Sequence, residues 1–127
     1  MASCSKQRMM TFKAGGAIAK GKAVKMGADR EHVVVGAANT DGLIGIAQNA
    51  AVNAEDLVEV ALPGGGAKAL AKESITAGKL LTSNADGALE QTNASGDRVI
   101  AVAMEGAAAG DQFAVEVVVC TADGADA

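Results

Sequence analysis

Short apolar runs recur along the chain, each broken after a few residues by glycine, asparagine or aspartate. This spacing is the mark of a sandwich or barrel. It predicts strands at Ala23–Met26, His32–Ala37, Leu43–Ala47, Leu57–Leu62, Lys79–Thr82, Ala88–Gln91, Arg98–Met104 and Gln112–Cys120. Alternation is clearest in the last, where Phe113, Val115, Val117 and Val119 face one way and Ala114, Glu116 and Val118 the other. Asp41-Gly42 and Asp86-Gly87 are hairpin dipeptides, because glycine takes up a positive φ without steric cost. Pro63-Gly64-Gly65-Gly66 is expected to be a loop. Ala67–Ser74 has the length for a turn or two of helix but lacks an apolar stripe, and Ala50–Ala54 and Gly106–Ala109 are too short for one.

The chain echoes itself. Gly21-Lys22-Ala23-Val24 matches Gly78-Lys79-Leu80-Leu81, Leu43–Ala47 matches Val99–Ala103, and Val58-Glu59-Val60 matches Val115-Glu116-Val117, at an offset of 56 to 57 residues. Two copies indicate duplicated halves of one body rather than a solenoid. The expected fold is all-β, a small β-barrel or β-sandwich (β-tulip-like). Its two similar halves, about 18–62 and 75–119, lie within a single domain of 18–120. An extended N-terminal arm covers 1–17 and a tail 121–127.

Composition narrows the picture. A chain of 127 residues suits one domain. Half its residues are hydrophobic, but 2% are aromatic, namely Phe12 and Phe113. Large side chains dominate burial, so a core of Val, Ile, Leu and Ala is thin and points to stabilisation by association. Cys4 and Cys120 form neither a disulfide framework nor a metal spacing and read as reduced thiols. No stretch approaches the ~18 apolar residues of a membrane span, and the start lacks the apolar core of a signal peptide.

Charge is divided along the chain. The first 30 residues carry +6 and the remainder −10. A basic arm is one signature of nucleic-acid binding, yet the body is acidic and Phe12 and Phe113 are too few aromatic side chains for a base-stacking surface. Docking on an acidic protein surface fits better.

Catalytic chemistry is missing. His32, the single histidine, opens a strand with no Cys or second His nearby, so neither a triad nor a zinc site has its parts. Glu59 and Glu116 occupy matching places in the echo and read as an outward charged face. Gly64-Gly65-Gly66-Ala67-Lys68 lacks the spacing and the Ser or Thr of a phosphate loop. Lys25 lies inside a predicted strand, not at the hairpin tip of a biotin or lipoyl carrier. No enzyme, no cofactor and no metal are expected.

Three segments together resemble the capsid cement (decoration) proteins of tailed bacteriophages. They are Gly42-Leu43-Ile44-Gly45-Ile46-Ala47, then Ser74-Ile75-Thr76-Ala77-Gly78-Lys79-Leu80 with the Asp86-Gly87 turn, and lastly Arg98–Glu105 running through Ala109-Gly110-Asp111 into the final strand. The resemblance covers about residues 18 to 120. It departs at Asn53-Ala54-Glu55, which stands against Ala109-Gly110-Asp111, and the arm up to Phe12 matches no motif.

The resemblance implies a virion protein, made in the bacterial cytoplasm, on the outer face of the head. Its partners would be the major capsid protein and itself, as a homotrimer at threefold positions in preference to the dimers of other members, with no nucleic acid or membrane. Lys6, Arg8, Met9, Met10, Phe12 and Lys13, apolar anchors ringed by charge, are the expected capsid contact. The alternative is the base of a trimeric head fibre or adhesin.

Overall fold

The computed structural model describes residues 8–27, 29–37, 42–92 and 97–121, the side chains of 119–121 excepted. Ten strands follow one another: β1 Met9–Ala14, β2 Ala23–Met26, β3 His32–Val35, β4 Leu43–Ala47, β5 Leu57–Ala61, β6 Gly66–Leu70, β7 Leu80–Ser83, β8 Leu89–Gln91, β9 Arg98–Ala103 and β10 Gln112–Thr121. The first five close into a barrel in the order β1-β3-β2-β4-β5. The second five form a sheet in the order β6-β10-β9-β7-β8. This is the same arrangement opened at one seam. The all-β fold of two similar halves is as the alternation predicts.

The equivalence extends to single hydrogen bonds. Ala47 N–H donates to Lys22 O, and Ala103 N–H to Lys79 O. Gln48 N–H donates to Glu59 O, and Met104 N–H to Ala114 O. The parallel pair Ala14–Val33 of the first half returns as the bridge Ala71–Leu89. Between halves the offset is 57 at β2/β7 (Ala23 to Leu80), 56 at β4/β9 (Ile46 to Val102) and 55 at β5/β10 (Val60 to Val115).

Two readings of the echo change accordingly. Glu59 is equivalent to Ala114, not to Glu116, although both glutamates are exposed. Ala54-Glu55-Asp56, not Asn53-Ala54-Glu55, answers Ala109-Gly110-Asp111. Asp56 and Asp111 each accept from backbone N–H groups three or four residues earlier. Glu55 (φ 76°) holds the left-handed conformation that Gly110 (φ 89°) holds in the second half.

Two strands escaped the local pattern. β1 lies where a free arm is expected: it pairs with β5 from Met9 to Lys13 and with β3 at Lys13 and Ala14. Met10, Phe12 and Ala14 share one face of β1, and the basic residues around this period-2 pattern mask it. β6 takes the end of the expected Pro63–Gly66 loop and the start of Ala67–Ser74, where no strand was expected, and pairs with β10 from Gly66 to Leu70. Its inward residues are Ala67 and Ala69, which have little strand preference of their own, so the neighbouring strand decides. Each half therefore starts earlier than 18 or 75.

Two cores result. One fills the barrel with Phe12, Ala14, Ile18, Val24, Val33, Ala47, Ala51, Val58 and Val60. The other joins the second half, around Phe113, Leu81, Leu89 and Ile100, to Ala23, Leu43, Ile46 and Ala61 of the first. The two halves are thus one packed body. The second sheet stays open because the first half enters its seam: Leu70 N–H donates to Gly21 O at 2.9 Å, and Ala23 N–H to Gly87 O at 2.8 Å. In the barrel that seam is shut by Lys13 N–H donating to Glu31 O. Gln48 seals the rest of the β6 edge: Lys68 N–H donates to its Oε1 (3.1 Å), and its Nε2 donates to Lys68 O (3.0 Å). An edge so capped cannot template another strand.

Candidate docking surface

β1 carries most of the residues expected to touch a partner. Its alternate hydrogen bonds fix their directions. Ala14 N–H donates to Asp56 O on the β5 side, whereas Lys13 N–H donates to Glu31 O on the β3 side. Met9 and Thr11 therefore aim their backbone groups at the β3 side, where, among the described residues, no strand pairs with β1 ahead of Lys13.

Beside this open edge lies a shallow groove of about 280 Å³, lined by Met10, Thr11, Phe12, Lys13, Arg30, Glu31 and Leu57. Met10 is 52% exposed and Leu57 64%. Phe12, 8% exposed, belongs to the barrel core and forms the floor. It is thus a core residue rather than a free anchor. Met9 is partly exposed. Arg8 donates from Nη1 to Pro63 O at 3.1 Å, which holds the entry to β1 against the turn before β6. Lys6 lies outside the described residues.

Charges around the groove are solvated. Lys13 Nζ lies 3.6 Å from Glu31 Oε1 with both side chains exposed, and such a pair contributes only about 0–1 kcal/mol. Thr11 Oγ1 donates to Glu59 Oε2 at 2.8 Å. Arg30, Glu31 and Leu57 were not among the residues expected here. Leu57 alone carried a signal, since its neighbour Val58 points inward and an outward leucine has no core to fill.

His32 sits at the barrel seam. Its Nδ1 lies 2.8 Å from Asp29 Oδ1 and its Nε2 2.8 Å from Glu55 Oε2. The Asp29 carboxylate, and then that of Glu55, raise the imidazole pKa above its ordinary value, while His32 holds Asp29 below the usual carboxylate range. The imidazole ring ties the turn before β3 to the turn before β5. Burial, with Glu73 and Asp97 nearby, pushes the Glu90 carboxyl up. Among the described residues no group of three His, Cys, Asp or Glu side chains is placed to hold a metal ion. No helix there is long and apolar enough to cross a membrane.

The comparison with protein families is decisive. A model described as phage cement protein matches residues 4–120. The chain belongs to the phage cement protein family. No curated protein matches this chain. Among solved structures it is similar to the head fiber gp8.5 N base of bacteriophage phi29. The TM-score is 0.69 at 20% identity, over 88% of this chain and 94% of that one. That likeness is one of fold. The chain is accordingly a phage structural protein of the capsid, which is consistent with a role that needs no catalysis.

Proposed function

We propose that this protein decorates the outer surface of a phage head, bridging and stabilising major capsid protein subunits as a homo-oligomer, a trimer in preference to a dimer. The family match over residues 4–120 carries the reading. The fold supports it: two fused β bodies with a shared core give a rigid brace, and one rim, at β1, combines apolar and basic side chains. Arg8, Met9 and Lys13, with Lys6 ahead of them, face the capsid, and Phe12 supports them from inside the barrel. Burying the exposed part of Met9 and the stem of Arg8 against the partner holds the contact, while charge steers the encounter.

The test uses undecorated heads and labelled protein. Deletion must stop at residues 2–7, because a longer one removes β1. The 2–7 deletion and Met9→Ala should both weaken binding while the protein stays folded. Unchanged affinity in both would refute the assignment of this rim.

A second reading, the base of a head fibre, is favoured by the likeness to the phi29 head fiber N base. Images of particles separate the two: low knobs bridging subunits support the brace, and projecting fibres support the base.

A further inference from the structure

Within the chain, the first half is docked on the open edge of β6, and the residues on both sides of that contact have counterparts elsewhere on the surface. On the receiving side stand Ala67, Lys68, Ala69 and Gln112. Lys68 is bracketed by the Gln48 amide, and Gln112 Nε2 donates to Lys20 O at 3.1 Å. Their counterparts in the first half are Met10, Thr11, Phe12 and Leu57, which are four residues of the β1 groove. On the donating side stand Ala23 and Ile46, opposed across β2 and β4 and fully buried, and Gln48. Their counterparts are Leu80 and Val102, opposed across β7 and β9 and half-buried, and Met104, 52% exposed.

The exchanges match one another. Where the internal contact sets the Gln48 amide on the Lys68 backbone, one open surface offers Met104 and the other offers Met10 and Leu57. These are three of the large hydrophobic side chains that the chain leaves exposed, and methionine packs readily against irregular apolar surface.

We propose that the β1 groove receives the β7–β9 face of a second copy of this chain, in a head-to-tail contact that repeats the internal docking. Met104 of one copy lies over Met10, Phe12 and Leu57 of the next. The two patches differ, so the contact is heterologous and either closes into a ring or continues as a filament.

The copy contact is looser than the internal one. Lys13 N–H already donates to Glu31 O, so the seam that takes Gly21–Ala23 in the second half is shut in the first. Glu31 also bears a side chain where the equivalent Gly87 has none. A Cβ on Gly87 would run into Val35 Cγ1 and stand 3.2 Å from Gly36 O and 3.4 Å from Lys22 Cβ, so at Glu31 the second copy must sit farther out than the internal contact does. Lys79, the counterpart of Lys22, is thereby brought beside Glu31 at the rim. Met104 cannot form the two bonds that Gln48 makes, so the Thr11 backbone groups stay with water.

This inference extends the self-association part of the proposed function. It is tested on the free full-length protein, where capsid binding plays no part, so failure on heads and failure here are distinct results. Sedimentation equilibrium would be run on wild type, Val102→Glu, Leu57→Asp and Met104→Gln over a roughly thousandfold concentration range. Wild type should self-associate. Val102→Glu on one face and Leu57→Asp on the other should each leave a monomer with unchanged circular dichroism. Leu57 is exposed, so its variant keeps the test valid should Val102→Glu disturb folding. Met104→Gln restores the amide opposite Thr11 and should assemble at roughly tenfold lower concentration. A monomeric wild type would overturn the inference. So would loss of assembly on changing one face only, which indicates groove-to-groove pairing, or a Met104→Gln variant that assembles no better than wild type.

Discussion

Phe12 is the sharpest point at which a surface reading and a core reading diverge, and Phe12→Ala separates them. In the barrel its ring is 8% exposed and packs among Ile18, Val24, Val58 and Val60. Truncating a buried phenylalanine removes its transfer free energy and leaves a cavity, at a cost of about 3–5 kcal/mol. A domain of this kind has about 5–15 kcal/mol in all. For 127 residues the unfolding entropy near the midpoint amounts to about 0.27 kcal/mol per degree. The melting temperature should therefore fall by about 11–19 °C. Met10, 52% exposed on the same face of β1, is the control, and Met10→Ala should move it by no more than about 2 °C. Thermal unfolding followed by circular dichroism at fixed concentration reads both. A Phe12→Ala shift of less than about 3 °C would refute the core assignment. Lost head binding by Phe12→Ala is evidence about the rim only at temperatures where the variant remains folded.

Stability should also depend on pH through His32. Its pKa is raised in the folded protein, so its contribution is complete below about 6.5, the unfolded value, and is lost as pH rises through the folded value. Urea midpoints should show wild type losing its advantage over His32→Gln across that window, and a constant difference would exclude the clamp. Gln48→Ala leaves the Lys68 backbone groups unpartnered, which should cost about 1–3 kcal/mol and speed hydrogen exchange at the Lys68 amide. Gly110→Ala meets no atom within 4 Å, so its cost should come from the left-handed backbone alone, about 1–2 kcal/mol by urea titration.

What the sequence determined by itself was local. Period-2 alternation placed eight of the ten strands, and Asp86-Gly87 placed the turn between β7 and β8, where Gly87 has φ 86°. The Asp41-Gly42 turn falls partly outside the described residues. Duplication was legible because equivalent strands keep similar apolar residues, although the third echo was displaced by two residues, since valine-rich strands match in more than one register. The family resemblance rested on the same strands and turns. What only the tertiary structure decided were matters of distant partners. β6 is a strand because β10 lies beside it, and nothing in Gly66-Ala67-Lys68-Ala69-Leu70 announces that. β1 reads as an arm until β5, some 48 residues away at the Thr11–Glu59 pair, is brought alongside. His32 looked isolated in sequence, yet Glu55, 23 positions on, reaches its ring. Most of all, two halves with one strand order differ in closure, because the seam of the second is filled by the first and the seam of the first closes on itself. Backbone groups at an edge take whichever partner the packing delivers, and that choice is written in no single segment of the chain.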